Sequence, residues 1–242
     1  MLTIAVISGK GGTGKTTITA SLGYILASEY KKKVCLIDAD VGLSCLTRLF
    51  KVSYTLTLRD ALKDPAIKLA HIMRPALSLQ NLLIVPSGTA LHDLVASNPK
   101  ILVSKLLEVS QSGVDVTLID APAGISSVVI ASMVASDKYM LVEELNPWGI
   151  DAALKLKSLA EKLQKPSIGL VLNDVVGWKG TVRRAIRSIE EIVGIRVLGV
   201  VPNDKVVRKA TMRLEVLAEK YPKSKATKAI REVAKKVAEL VS

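Results

Sequence analysis

An α/β fold in three layers, helices on both faces of a mostly parallel twisted sheet of about seven or eight strands, is what the sequence predicts. Three observations predict it. Short apolar, β-rich runs recur along the 242 residues. The segments between them carry helical periodicity. A glycine-rich loop follows the first run directly, at a strand-to-helix junction of the kind where such sheets bind ligands.

The runs are Leu2 to Ile7, Val34 to Ile37, Leu82 to Val85, Val116 to Ile119, Tyr139 to Val142, Ile168 to Leu172 and Val197 to Val201. Apolar runs without alternation suit strands buried on both faces, the mark of a parallel sheet. Between them, Val182, Ala185, Ile186, Ile189, Ile192 and Val193 fall on one helical face, with Arg183, Arg184 and Arg187 turned outward. Ala226, Ala229, Ile230, Val233, Val237 and Leu240 form a similar stripe near the end, expected to pack on the core. Alternating strands and helices imply right-handed βαβ units. The turn-rich stretch Pro86 to Thr89 is too short to divide domains, so residues 1–242 are expected to form one.

Composition bounds the class. The chain is 49% hydrophobic with a mean hydropathy of +0.35, which excludes a disordered or fibrous protein. Apolar runs such as Val128 to Ala131 are far shorter than the roughly 18 residues that span a bilayer, and Met1 to Ser8 lacks a basic leader. A cytoplasmic protein is expected. The two cysteines, Cys35 and Cys45, are too few for a disulfide framework or a four-ligand metal site within one chain. Net charge is +12, and residues 174–242 hold 16 basic against 8 acidic side chains. That excess suits nucleic acid or an anionic surface, or equally the lysine-rich surface of a heat-stable protein. With 3% aromatics, a stacking platform for single strands is not expected.

Gly9-Lys10-Gly11-Gly12-Thr13-Gly14-Lys15-Thr16-Thr17 satisfies GxxxxGK[ST] immediately after the first strand. Its glycines let successive backbone N–H groups turn inward around phosphate oxygens at a helix N-terminus. Lys15 is placed to contact the β and γ phosphates, and the Thr16 hydroxyl to ligate Mg²⁺. Lys10 is a second lysine at a position where sterics do not demand a cation.

With that lysine, Lys10-Gly11-Gly12-Thr13-Gly14-Lys15-Thr16-Thr17 resembles the deviant Walker A motif of the MinD/ParA family, SIMIBI-type P-loop nucleotide hydrolases. The resemblance implies that ATP joins two protomers and that Lys10 reaches the phosphates bound by the other copy. It extends along the chain. Ile37-Asp38-Ala39-Asp40-Val41-Gly42-Leu43 looks like the family's switch I. This gives Asp40 the positioning of the attacking water, and Asp38 the Mg²⁺ shell, switch coupling, or merely the cap of a turn. Cys45 stands where MinD proteins usually carry asparagine.

Asp120-Ala121-Pro122-Ala123-Gly124 ends a buried run, the arrangement that holds Mg²⁺ through water, and resembles the family's DxPxG switch II. Gly124 is thereby expected to offer its N–H to the γ-phosphate. Asn173 matches the family's adenine reader, unless it is only a turn residue after a strand. Pro202 and Asn203, in Gly199-Val200-Val201-Pro202-Asn203-Asp204, resemble the later base-binding loop. Glu143 and Glu144 are expected to be solvated loop charges.

The resemblance implies a slow ATP hydrolase that dimerises with ATP and Mg²⁺ and acts in spatial positioning or partitioning. Nonspecific DNA is the leading partner, through Lys179, Arg183, Arg184 and Arg187 with Lys205, Arg208, Lys209 and Arg213. The alternatives are an ATPase assisting metal-cofactor assembly and a MinD-like regulator of the division site working at the membrane through a protein partner. Val142 to Gly149 departs from the usual MinD stretch and looks more like ATPases of cluster assembly, though without their cysteines. The last helix lacks the bulky aromatic and basic groups of a MinD membrane anchor, so direct anchoring is not expected.

Overall fold

The computed structural model describes residues 1–40, 44–88, 98–177 and 179–241. Val41 to Leu43 of the switch I stretch and Thr89 of the turn-rich stretch lie outside them. The strands are β1 (Leu2–Ser8), β2 (Val34–Asp38), β3 (Arg74–Ala76), β4 (Leu79–Val85), β5 (Val116–Ala123), β6 (Lys138–Glu144), β7 (Ser167–Val175) and β8 (Val197–Pro202). They form one sheet in the order β3-β4-β2-β5-β1-β6-β7-β8. Every neighbouring pair is parallel except β3 with β4.

All seven apolar runs are strands. The eighth, β3, is an antiparallel edge of three residues containing Pro75, tolerable at an edge where one side needs no ladder partner. Such a run has no periodicity to read.

Helices flank the sheet: α1 (Lys15–Ser28), α2 (Cys45–Phe50), α3 (Leu58–Lys63), α4 (Leu69–Ile72), α5 (Pro99–Leu107), α6 (Ser127–Val134), α7 (Pro147–Lys162), α8 (Lys179–Val193), α9 (Lys205–Met212), α10 (Leu217–Lys220) and α11 (Lys225–Glu239). The two-residue side-chain period of β1 divides the core. Ile4 and Val6 pack with Leu22 of α1 and Ile230 and Val233 of α11, whereas Ala5 and Ile7 pack with Met133 of α6, Leu156 of α7 and Ile189 of α8. A third cluster joins Cys35 and Ile37 of β2 to Leu58, Leu69 and Leu102 of α3 to α5. These are the predicted three layers.

The close fit of helix to sheet is set by small residues. A Cβ on Gly199 would lie 2.4 Å from Val233 Cγ2, so β8 admits α11 only because that position has no side chain. Two members of the predicted stripes do not pack inward: Ile192 is 57% and Leu240 50% exposed, while Ile189 and Val193 of the same helix as Ile192 are buried, so the inward stripe there is narrower than predicted. Among the described residues no helix is long and apolar enough to cross a membrane.

The topology fixes where a site forms. The connection from β1 runs to β2 on one side and that from its neighbour β5 runs to β6 on the other, so the two diverge at their carboxyl ends. The gap between diverging connections is where open α/β sheets bind ligands.

Candidate functional site

Ser8 closes β1, and its hydroxyl donates to the Lys10 carbonyl at 3.1 Å, starting the turn into the loop. Gly12 and Gly14 hold φ of +85° and +83°, the left-handed region that a Cβ would strain. Gly14 is the N-cap of α1 with no capping side chain, so the first N–H groups of that helix lack a side-chain partner. A Cβ on Gly11 or Gly12 would meet nothing within 4 Å, whereas one on Gly14 would lie 2.2 Å from Asn173 Nδ2. The loop is open outward and closed against β7.

Lys15 opens α1 and is 7% exposed. Its Nζ donates to Asp120 Oδ1 at 3.0 Å, while the Thr16 hydroxyl donates to Asp120 Oδ2 at 2.7 Å. Thr19 adds a third donor to Oδ1 at 3.3 Å. Asp120 itself is 1% exposed, held at the carboxyl end of β5 by parallel pairing to β1 and β2. Loop cation, helix hydroxyl and strand carboxylate thus meet at one point, as the sequence predicts.

Asp38 pairs in register with Asp120. Its Oδ2 accepts from the Thr47 N–H at 2.8 Å and hydroxyl at 2.6 Å, anchoring the first turns of α2, while Oδ1 has no partner. Of the three roles open to it, the hydrogen bonds favour coupling to the helix that follows switch I. Burial pushes its pKa up to about 7, against the Thr47 hydrogen bond and with the help of Asp120 and Asp40.

Asp40 is half-buried and accepts the Ser44 N–H at its carbonyl. Its residue lines a cleft of about 740 Å³ with Gly11 to Thr17, Asn173, Pro202 and Asn203. Asn173 donates from Nδ2 to the Thr13 carbonyl at 2.7 Å, tying β7 to the loop. Asn203 donates to Asp174 Oδ1 at 2.6 Å, bridging the ends of β7 and β8. The two base-side segments are therefore mutually braced.

Two predicted residues stand apart. Gly124 has φ +86°, but its N–H donates to the Ser8 carbonyl at 2.9 Å, so reaching a phosphate requires that bond to break. Lys10 is exposed, its Nζ 5.0 Å from the centre of the Trp148 ring.

Two assignments are corrected. Glu143 and Glu144 belong to β6, not to a loop. Glu143 is 1% exposed and its Oε1 accepts the Gly9 N–H at 2.5 Å, beneath the phosphate loop; Glu144 accepts from Asn146 Nδ2 at 2.7 Å. Burial raises Glu143 to about 7, opposed by the Gly9 hydrogen bond. The β-run simply continues two residues past Val142, through polar side chains that apolar scanning stops at. Lys205 and Arg208 of α9 line the rim of the cleft and are exposed.

The donor set fits a nucleoside triphosphate with Mg²⁺. Thr13 Oγ1 is buried without a partner, Gly11 and Gly12 leave open space, and Thr16 and Asp120 supply oxygen ligands of the hard kind Mg²⁺ takes. Residues 4–217 match the family described as the CobQ/CobB/MinD/ParA nucleotide binding domain. The chain belongs to the MinD/ParA family of P-loop ATPases.

Within this family it is 34% identical over 238 residues to an uncharacterized ATP-binding protein of Methanocaldococcus jannaschii, covering 98% of this chain and 87% of that one. It is 29% identical to the antiactivator FleN of Pseudomonas aeruginosa, over 97% of this chain and 85% of FleN. Among solved structures, the Pyrococcus horikoshii septum site-determining protein MinD complexed with Mg-ADP superposes with a TM-score of 0.86 at 27% identity, covering 99% of this chain and 96% of that one. The MinD/ParA assignment agrees with both the loop motif and the strand order.

Proposed function

We propose that this protein is an ATP-dependent homodimerising switch that hydrolyses ATP slowly and uses the dimer to organise a partner in space. The observation that carries this reading is the contrast between the loop's two lysines. Lys15 is buried against Asp120, whereas Lys10, five residues earlier, stands exposed on the outer side of the same loop. That contrast supports a role for Lys15 at its own nucleotide and for Lys10 at a neighbour's.

ATP with Mg²⁺ would be held by the N–H groups of Gly11 to Thr17, Lys15, the Thr16 hydroxyl and Asp120, with the base between Asn173, Pro202 and Asn203. When bound, it supplies a terminal phosphoryl group for transfer to water. Lys15 exchanges Asp120 for phosphate oxygens, Asp40 orients the attacking water, and Lys10 of each copy neutralises charge across the interface. Cations delivered in trans in this way accelerate phosphoryl transfer by roughly 10³ to 10⁵. Gly124 N–H exchanges Ser8 for the γ-phosphate, making switch II sense ATP against ADP. Asp38 carries that signal into α2 through Thr47, or joins the Mg²⁺ shell from its unpartnered oxygen.

The test is the mass in solution. Light scattering should give a dimer with ATP and Mg²⁺ and a single copy with ADP, and Lys10→Ala should stay single in both. A Lys10→Ala dimer as tight as wild type would refute the trans role.

Nonspecific DNA is the proposed partner, through exposed Arg183, Arg184 and Arg187 of α8. A second reading, a division-site regulator working at the membrane through a protein partner, is supported by the likeness to the Pyrococcus horikoshii septum site-determining protein MinD. Capture on the Asp40→Ala dimer separates the two.

A further inference from the structure

Trp148 is 68% exposed, a costly position for the largest side chain in a chain with 3% aromatics. Its backbone is rigid. Asn146 caps α7 by accepting the Gly149 N–H at 2.9 Å, Pro147 fixes the first turn, and a Cβ on Gly149 would collide with the Glu144 carbonyl at 2.3 Å. The indole therefore projects from a fixed point beside the phosphate loop.

Lys10 is the opposite. It is followed by Gly11 and Gly12, around which there is open space, and its four-carbon stem is free to swing. Its ammonium nevertheless lies 5.0 Å from the Trp148 ring centre, within the roughly 6 Å over which an aromatic face attracts a cation. The buried Glu143 carboxyl feels its charge, but among the described residues no ion pair ties Lys10 to a carboxylate.

We propose that Trp148 is a positioning residue for Lys10: it docks the amine on its own protomer and must release it before that amine can reach the phosphates of a second copy. The proposal rests on the dimer reading above and adds to it a threshold. An exposed cation–π contact of this kind is worth about two- to fivefold, and because each dimer must open two of them, the concentration needed for ATP-driven dimerisation should rise by about five- to thirtyfold. Removing the ring lowers that concentration, because the lysine then leaves nothing behind.

The chain has two tryptophans, so Trp178→Phe leaves Trp148 as the sole indole reporter. In this background without nucleotide, Lys10→Ala should shift the emission, since a cation over the ring is removed. Trp148→Ala should dimerise with ATP and Mg²⁺ at about five- to thirtyfold lower protein concentration by sedimentation, and Trp148→Phe should return most of the way to wild type. Emission indifferent to Lys10→Ala, or a Trp148→Ala dimer no tighter than wild type, would overturn the dock. If the wild type itself stays single at saturating ATP, the dimer reading falls and the threshold with it, while the nucleotide-free emission still decides whether the dock exists.

Discussion

Lys15 Nζ meets Asp120 Oδ1 at 3.0 Å with both side chains almost wholly removed from solvent. A buried pair of this kind is strongly destabilised when one partner is lost, by about 3–5 kcal/mol, because the survivor is left charged and dry. Asp120→Ala should therefore lower the urea midpoint by that order, and ATP should restore part of the loss by giving Lys15 new oxygen partners. Restoration should not depend on Mg²⁺, since Thr16 alone remains of the pair that would hold the metal. Denaturation curves with ATP, with and without Mg²⁺, check this; rescue that still requires the metal would remove Asp120 from its shell.

Asp40 lines the cleft and is half-buried, whereas Asp120 lies wholly buried. Asp40→Ala should bind ATP with near-wild-type affinity, lose hydrolysis, and accumulate as a dimer. The combination separates water positioning from nucleotide binding. A variant that stays single with saturating ATP and Mg²⁺ would refute the assignment.

Most of this site was legible in sequence because its chemistry is carried by residues at strand ends. Asp120 and Asn173 each follow an uninterrupted apolar run, and the loop motif follows another. What escaped was Glu143. It follows an apolar run as Asp120 does, but no motif names a role for it there; the parallel pairing of β6 with β1 carries it under Gly9. β3 escaped for want of length.

Gly14 tests the loop's geometry. Gly14→Ala must hold an alanine at φ +83°, costing about 1–2 kcal/mol, and must displace the Asn173 amide from the Thr13 carbonyl. The protein should stay folded, with nucleotide affinity falling by tenfold or more in calorimetric titration. Unchanged affinity would mean that the loop binds phosphate in another conformation.

Glu143 and Asp38 should make stability depend on pH near neutrality. Both carboxyls titrate near 7 in the folded chain, raised by burial above their ordinary values of about 4.5 and 3.8. Between those limits the folded state binds more protons than the unfolded one, so stability falls as pH rises from about 4 to 7 and then levels. Glu143→Gln keeps an oxygen for the Gly9 N–H but cannot ionise, so its stability should decline less steeply across that window and exceed wild type at pH 8. Melting temperatures from pH 5 to 8 measure this, and parallel curves for the two proteins would show that Glu143 does not titrate there.

The DNA reading has a quantitative signature. Each phosphate neutralised by a cation releases counterions, steepening the fall of log affinity with log salt by about 0.9. Arg183, Arg184 and Arg187 lie exposed on one helix. Replacing all three with alanine should therefore reduce the slope by about 2 to 3 while leaving ATP-dependent dimerisation intact. Fluorescence anisotropy on a duplex of arbitrary sequence, across a salt series with ATP and then ADP, measures the slope and the nucleotide requirement together. Binding that persists with ADP, or a slope untouched by the triple variant, would move the partner away from DNA and toward a protein.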